Sequence, residues 1–247
     1  MKKLLAITLT ALIAACGGAG SEEKNAYAGG IFVGTLANQV AGANESVYAL
    51  VSDTGLAYTV NTTSAGTFKG LSKFTIKPEG KGFNSRFIGY ASEGFEFSNG
   101  SNVSGGSISG IIDERVEIVG SIQADGGPSS SYIVRYNELH KAPSSFAMIS
   151  GNYTHNTCAS TQCDGINLNF SSSGQISGNN GNCSISGNTA IPNANVNVYE
   201  IGLTISCSDG SDSFRGLASY DAARSSLFIV YDNNLDIARA ELMPKRQ

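Results

Sequence analysis

Tryptophan is absent from this 247-residue chain, histidine occurs twice, and charged residues make up only 15 % of the sequence. The formal net charge is −4, and lysines and arginines are not gathered into a basic patch. Binding to nucleic acid needs such a patch, and so does electrostatic contact with anionic lipid. We therefore expect neither partner. Beyond the N-terminal segment there is also no apolar run of about 18 residues, which argues against a transmembrane helix.

Motifs of catalysis are missing as well. The sequence contains no Gly-x-Ser-x-Gly nucleophile elbow and no glycine-rich phosphate loop between a strand and a helix. His140 and His155 are the only histidines, the residue type that serves most often as a general base. Neither accompanies a nucleophile in a recognised motif, and we predict both at the surface. We expect no catalytic residue, no cofactor, no metal and no enzymatic activity.

Acidic residues leave two alternatives open. Glycosidases hold two carboxylates across a cleft, and four close acidic pairs lie in or beside predicted turns: Glu93/Glu96, Asp113/Glu114, Asp209/Asp212 and Asp232/Asp236. Asp232 to Asp236 also offers oxygen ligands at positions 1, 3 and 5 of a calcium loop. An EF-hand is excluded, because Ile237 and Met243 replace the required glycine and glutamate. An envelope hydrolase and a weak calcium site remain as alternatives to solvated turn acids.

What the sequence has in abundance is glycine, with 30 residues, together with many serines, asparagines and threonines. Strands joined by Gly-, Asn- and Ser-rich turns fit this composition, whereas surface helices rich in Glu and Lys do not. Apolar residues alternate with period two in many segments, for example in Ile166-Asn167-Leu168-Asn169-Phe170. The tyrosines of these strands are expected mostly to pack the cores, with some at a barrel mouth. The sequence therefore predicts an all-β protein.

The N-terminus has the pattern of an exported protein. Lys2 and Lys3 precede an apolar run from Leu4 to Ala15, which is too short to span a bilayer and matches a secretory signal. Its end, Ile13-Ala14-Ala15-Cys16, resembles the lipobox of bacterial lipoproteins. The alternative is an ordinary secretory signal with an incidental cysteine.

The lipobox resemblance implies a maturation path and a location. Residues 1–15 would be removed as a signal peptide, and Cys16 would carry a diacylglycerol and an acyl chain. Three chains exceed the two signals needed for stable anchoring. Gly17 stands where the family's inner-membrane retention signal would have Asp, so the resemblance implies the outer membrane. Residues 16–28 then read as the lipidated cysteine and a flexible tether.

Two similar halves follow the tether. Gly151-Asn152-Tyr153-Thr154 matches Gly30-Ile31-Phe32-Val33, and three further segments match in the same order with a steadily changing offset, as loop deletions would produce. We predict two small antiparallel β-barrel or sandwich domains in tandem, at residues 29–141 and 145–247, with about six strands each. Chance similarity between Gly- and Ser-rich strands is the alternative.

Four cysteines remain after Cys16, and an even set in an oxidising compartment predicts disulfides. Cys183 and Cys207 lie on the apolar faces of two strands, so we expect a Cys183–Cys207 bond if those strands are neighbours. Cys158 and Cys163 would then close a local loop. A metal site of this second pair with His155 is the alternative, although the spacing is not Cys-x2-Cys.

These features favour a lipid-anchored outer-membrane lipoprotein of a Gram-negative bacterium that binds a protein or another ligand through the loops of its β domains. Two lipid-anchored domains on a glycine-rich tether are similar to the architecture of surface lipoproteins that capture host proteins. That similarity extends to no motif beyond the lipobox. An envelope inhibitor or immunity-type lipoprotein that neutralises an enzyme is the main alternative, with the envelope hydrolase behind it.

Overall fold

The computed structural model describes residues 24–37, 44–159 and 162–246, but not the side chains of 156–159 and 162–164. Within these ranges the first half of the chain forms eight strands: Gly30–Ala37 (β1), Asn44–Val51 (β2), Leu56–Thr62 (β3), Phe68–Thr75 (β4), Gly82–Ala91 (β5), Val103–Asp113 (β6), Glu117–Ala124 (β7) and Ser129–Tyr136 (β8). Each strand pairs antiparallel with the next, and β8 pairs with β1 over six residues, so the sheet closes into a barrel, called barrel 1.

The second half repeats this arrangement as barrel 2: Gly151–Ala159 (β9), Gln162–Phe170 (β10), Gln175–Asn180 (β11), Cys183–Ala190 (β12), Tyr199–Cys207 (β13), Gly210–Asp221 (β14), Ser226–Asp232 (β15) and Ala238–Pro244 (β16). Neighbours in sequence are again neighbours in the sheet. The seam between β9 and β16 is narrower than that of barrel 1. It consists of one bridge, Tyr153 with Lys245, and a hydrogen bond from the Arg246 N–H to the Asn152 carbonyl at 2.8 Å.

The expectation of an all-β chain with two similar barrel-shaped domains in tandem is confirmed. Matched segments occupy equivalent strands, and the β2–β3 and β10–β11 turns both place a glycine, Gly55 and Gly174, at φ +84°, where a side chain would be strained. The prediction of about six strands per domain is wrong. Each barrel has eight, and the glycine- and serine-rich strands β6 and β12 pair on both sides like the more apolar strands around them.

Short segments outside the strands connect the barrels and pack into their ends. A 3₁₀ turn, Glu138–Lys141, follows β8, and a four-residue helix, Phe146–Ile149 (α1), precedes β9 with Ser145 as its N-cap. Ile149 packs into the interior of barrel 2, and Ala26 and Ala28 pack into barrel 1. Among the described residues no helix is both long and apolar enough to cross a membrane.

Three apolar clusters hold the molecule together, one inside each barrel and one between them. The cluster between the barrels joins outward-facing residues of both sheets: Ile31, Leu50, Tyr58, Val60, Leu71, Tyr90, Val198, Leu217 and Val230. Such burial between two outer walls, at about 25 cal/mol per Å² of apolar surface, favours a fixed side-by-side arrangement.

The two ends of barrel 1 differ. Ala26 and Ala28 cover the end where β1 begins, which also carries the β2–β3 and β6–β7 turns. We call this the tether end, because the predicted tether leads into it. The opposite end, called the far end, carries the β3–β4, β5–β6 and β7–β8 connections.

Candidate functional site

The interior of barrel 1 contains a narrow apolar cavity of about 40 Å³. Alternate residues of each strand point inward, so the cavity is lined almost entirely by aliphatic and aromatic side chains. The lining comprises Phe32, Leu36, Val47, Ala49, Val51, Thr59, Asn61, Phe74, Ile76, Phe83, Ile108, Ile118, Ile122, Tyr132 and Val134. An eight-stranded barrel is just wide enough to be filled by side chains or to hold one small ligand.

A wider cavity of about 400 Å³ lies at the far end, and we call it the mouth. Leu36, Asn61 and Ile122 line both cavities, so the mouth leads into the narrow cavity inside the barrel, which we call the bore. Phe95 and Phe97, from the β5–β6 connection, line the mouth and are only half-buried. Its volume is within the range of small-molecule sites.

A polar cluster lies in the wall of the mouth. Lys69 Nζ is 2.5 Å from Glu45 Oε1, and Asn61 Nδ2 donates a hydrogen bond of 3.1 Å to Glu45 Oε2. The Lys69 ammonium also lies 5.3 Å from the centre of the Phe95 ring, within the range of a cation–π contact. Glu45 itself is only 8 % exposed, so this ion pair is largely shielded from solvent.

Sequence reasoning missed this site. Its signal was a pair of polar residues, Thr59 and Asn61, on the face of β3 that also carries Ala57 and points into the barrel. Polar side chains on an inward face indicate either a partner or solvent access. Phe95 and Phe97 lie in the connection between β5 and β6, where alternation gives no signal.

Barrel 2 is filled instead of open along its bore. Tyr153, Tyr199 and Tyr231 are buried inside it, packed with Phe170 and Phe214. The ring pairs Tyr153–Phe170 and Phe214–Tyr231 meet edge to face at 5.6 Å between centroids. Burial raises the pKa of all three tyrosines, that of Tyr199 to about 12, so they remain neutral packing groups.

The predicted disulfide between Cys183 and Cys207 is confirmed. The two residues lie opposite each other on the neighbouring strands β12 and β13, with their Cα atoms 4.3 Å apart. The side chains of Cys158 and Cys163 lie outside the described residues, although the backbone register sets the two positions opposite each other in β9 and β10. Cys16, the predicted lipid attachment site, also lies outside the described residues.

Asp232 does not belong to a calcium loop. It ends β15 with 0 % exposure, and its carboxylate faces barrel 1. Tyr58 and Tyr90 donate hydrogen bonds to it at 2.5 and 3.1 Å, and Lys73 Nζ lies 3.1 Å away. Burial beside this carboxylate raises the pKa of both tyrosines. The calcium alternative is therefore wrong for Asp232, whose oxygens are used to join the barrels.

His140 is buried, not at the surface as predicted. It is 1 % exposed in the 3₁₀ turn between the barrels, and its Nδ1 lies 2.7 Å from the Tyr136 hydroxyl. Its Nε2 has no hydrogen-bond partner among the described residues. Burial lowers the pKa of the imidazole to about 4, against the opposing influence of Asp53. The ring is therefore a neutral group at physiological pH.

His155 lies on β9 and is half-buried at the seam of barrel 2, whereas the sequence predicted a surface position. Its Nδ1 is 3.2 Å from the Leu242 carbonyl, and its Nε2 is 3.2 Å from Glu241 Oε2. Burial raises the pKa of Glu241, partly offset by His155 and Arg239. Both ring nitrogens are therefore engaged across the seam, where they bridge strands that the backbone barely joins.

The acidic pairs are not assembled into one centre. Asp209 and Asp212 line a cavity of about 500 Å³ at the end of barrel 2 that carries the disulfide. Asp113 and Glu114 lie at the tether end of barrel 1, where β6 ends and the β6–β7 turn begins. Across residues 24–37, 44–159 and 162–246, leaving aside the seven undescribed side chains, no group of three or more His, Cys, Asp or Glu could hold a metal ion.

Comparisons with known proteins identify no family for this chain. No protein-family model and no curated protein matches the chain. Among solved structures it is similar to a protein from Bacteroides fragilis that is provisionally described as an outer membrane protein. The identity is 11 %, the match covers 88 % of this chain and 97 % of the other, and the TM-score is 0.30. At these values the similarity supports no argument about function.

Proposed function

We propose that this chain is a lipid-anchored, non-catalytic binding protein of the outer membrane of a Gram-negative bacterium, and that its ligand binds in the mouth of barrel 1. The lipobox resemblance at Ile13 to Cys16 supports the anchor. The observation that carries the binding role is that the bore of barrel 1 opens into the mouth at the far end, while Ala26 and Ala28 cover the tether end.

The orientation of barrel 1 suits this role. A chain attached to the membrane at Cys16 would approach the barrel at the tether end, so the mouth would face away from the bilayer. Strands of eight residues separate the two ends by about 20 Å once their tilt is included. A ligand could therefore reach the mouth without displacing the anchor.

The anchor is tested by replacing Cys16. In cells grown with an alkyne-tagged fatty acid, the wild-type chain should carry the label and fractionate with the outer membrane, and Cys16→Ser should do neither. Cys183→Ser, which alters a different cysteine, is the matched control and should remain labelled. Protease treatment of intact cells then tells whether the barrels face outward or into the periplasm. A Cys16→Ser chain that still fractionated fully with the membrane would contradict the proposal.

A further inference from the structure

The mouth and bore of barrel 1 share a continuous apolar surface. Deep in the bore the side chains are aliphatic or aromatic, with Ala49, Val51 and Phe74 among them. Phe95 and Phe97 continue this apolar surface into the mouth. Because apolar surface gains free energy when water leaves it, a ligand that follows this path would be apolar along most of its length.

The enclosed and open volumes limit the shape of that ligand. The bore cavity, at about 40 Å³, is far smaller than the roughly 150 Å³ engineered cavity that accepts benzene. The mouth, at about 400 Å³, is ten times larger than the bore cavity. A ring system would not enter the bore, whereas the tip of a flexible chain could do so with its remaining length against Phe95 and Phe97. The dimensions therefore favour a single chain.

The polar cluster determines what the other end of the ligand should be. Lys69 is the one cation among the described residues that line the mouth, and two carboxylates, Glu45 and Glu96, accompany it. An anionic head group would be repelled by the two carboxylates, and a cationic head group would be repelled by the Lys69 ammonium. An ammonium donates hydrogen bonds, a carboxylate accepts them, and the amide of Asn61 does both, so the cluster matches uncharged hydroxyl groups.

Barrel 2 lacks this combination. Its bore is occupied by Tyr153, Tyr199 and Tyr231, and its end cavity is lined by Asp209, Asp212 and Arg239. A chain would have to displace buried aromatic rings to enter it.

Building on the proposed function, we propose that barrel 1 binds an uncharged single-chain amphiphile of the monoacylglycerol class. The hydroxyl-bearing head lies beside Glu45, Lys69 and Asn61, and the acyl chain runs along Phe95 and Phe97 with its tip toward Thr59.

The test compares three probes that differ only in head group, namely monodecanoylglycerol, decanoate and decyltrimethylammonium, on the full chain carrying Cys16→Ser. Native mass spectrometry and titration calorimetry below the micelle concentration give stoichiometry and affinity. We expect one monodecanoylglycerol per chain, bound about tenfold more tightly than either charged probe. Uptake of N-phenyl-1-naphthylamine, an apolar fluorophore without a hydroxyl-bearing head, reports independently whether the cavity accepts ligands.

Two matched pairs of variants locate the site. Thr59→Leu fills part of the bore, where the tip of the acyl chain would lie, and should weaken monodecanoylglycerol binding about tenfold. Thr35→Leu, the same change on the exposed outer face of β1, should not. Lys69→Met removes the one cation among the described residues that line the mouth and should favour decyltrimethylammonium over decanoate. Lys141→Met on the exposed 3₁₀ turn should leave the order unchanged. Circular dichroism checks that each variant is folded.

Decanoate binding as tightly as monodecanoylglycerol would overturn the uncharged head. If no decyl probe binds but the fluorophore does so in a Thr59-dependent manner, the ligand class is wrong and the site stands. Binding that is insensitive to Thr59→Leu would overturn the site in barrel 1 as well. The fractionation of Cys16→Ser is independent of all these results, so the anchor is judged separately.

Discussion

Barrel 1 and barrel 2 share strand number, strand order and turn positions, but they close and fill in different ways. Barrel 1 closes through six paired residues between β1 and β8, and its interior keeps an open bore. Among the described residues, barrel 2 closes through one backbone bridge, the hydrogen bond from Arg246 to Asn152 and the contacts of His155, while buried tyrosines fill it. The seam of barrel 1 is closed by backbone pairing, and its apolar core leaves a narrow cavity.

Barrel 2 relies partly on side-chain contacts for the closure that barrel 1 obtains from backbone pairing. The Cys183–Cys207 bond ties β12 to β13, and the rings of Tyr153 and Tyr231 support the wall from inside. Two copies of one topology need not share a function. In this molecule we expect one barrel to bind and the other to support it.

The largest effect should come from breaking the contact between the barrels. Lys73→Met leaves the fully buried Asp232 carboxylate with Tyr58 and Tyr90 but without a cation. Removing one member of a buried ion pair costs about 3–5 kcal/mol. Denaturant unfolding should show this loss in the stability of the whole chain, and Lys141→Met should show almost none. Equal stability of the two variants would mean that Lys73 does not compensate Asp232.

A smaller effect, confined to barrel 2, should follow loss of the disulfide. Cys183 and Cys207 are 24 residues apart, and a loop of that size corresponds to about 3 kcal/mol in the chain-entropy model. Cys183→Ala with Cys207→Ala should lower protection from hydrogen exchange in β10–β14 and leave β2–β7 unchanged. If protection fell equally in both barrels, they would unfold as one cooperative unit. The two barrels would then not differ in their stability.

Acid should destabilise the junction between the barrels. The pKa of His140 is lowered from 6.5 to about 4 in the fold, so the unfolded chain binds more protons between these values. Stability should be fully present above pH 6.5 and should fall as pH decreases toward 4, by about 2 kcal/mol at pH 5. Asp53, Arg115 and Tyr136 surround the ring.

His140→Gln, which keeps a hydrogen-bonding group for Tyr136, should remove this pH dependence, and His155→Gln should retain it. Denaturant midpoints from pH 7 to pH 4 give the measurement. A wild-type chain whose stability stayed constant from pH 7 to pH 5 would exclude a buried neutral His140.

The sequence allowed the β class, the tandem repeat and the Cys183–Cys207 bond to be predicted because each depends on local pattern. Alternation assigns a face to every residue of a strand, and two cysteines on apolar faces need only neighbouring strands to meet. The number of strands per barrel was underestimated because it depends on where each sheet closes on itself, through β1 with β8 and through β9 with β16, and no local pattern records that closure.

The candidate site could not be predicted in the same way. Glu45, Asn61 and Lys69 come from three strands, and their meeting depends on the register of β2, β3 and β4. His140 and Asp232 were misassigned for a related reason. Asp232 is buried by barrel 1, and His140 is buried at the junction between the barrels. Contacts between domains leave no periodic pattern in the sequence, so neither burial could be predicted.

The smallest effect should separate the seams of the two barrels. His155→Ala removes the bond from Nδ1 to the Leu242 carbonyl and leaves the half-buried Glu241 without its partner. Loss of such a hydrogen bond costs about 1 kcal/mol, and it should appear as faster amide exchange in β16. Thr35→Ala, on β1 of the fully paired seam, should change nothing. Because a glutamine at position 155 can still donate to Leu242, His155→Gln should recover part of the protection. If His155→Ala left exchange in β16 unchanged, the backbone contacts of Tyr153 with Lys245 and of Arg246 with Asn152 would be enough to hold the seam, and side-chain closure would no longer distinguish barrel 2 from barrel 1.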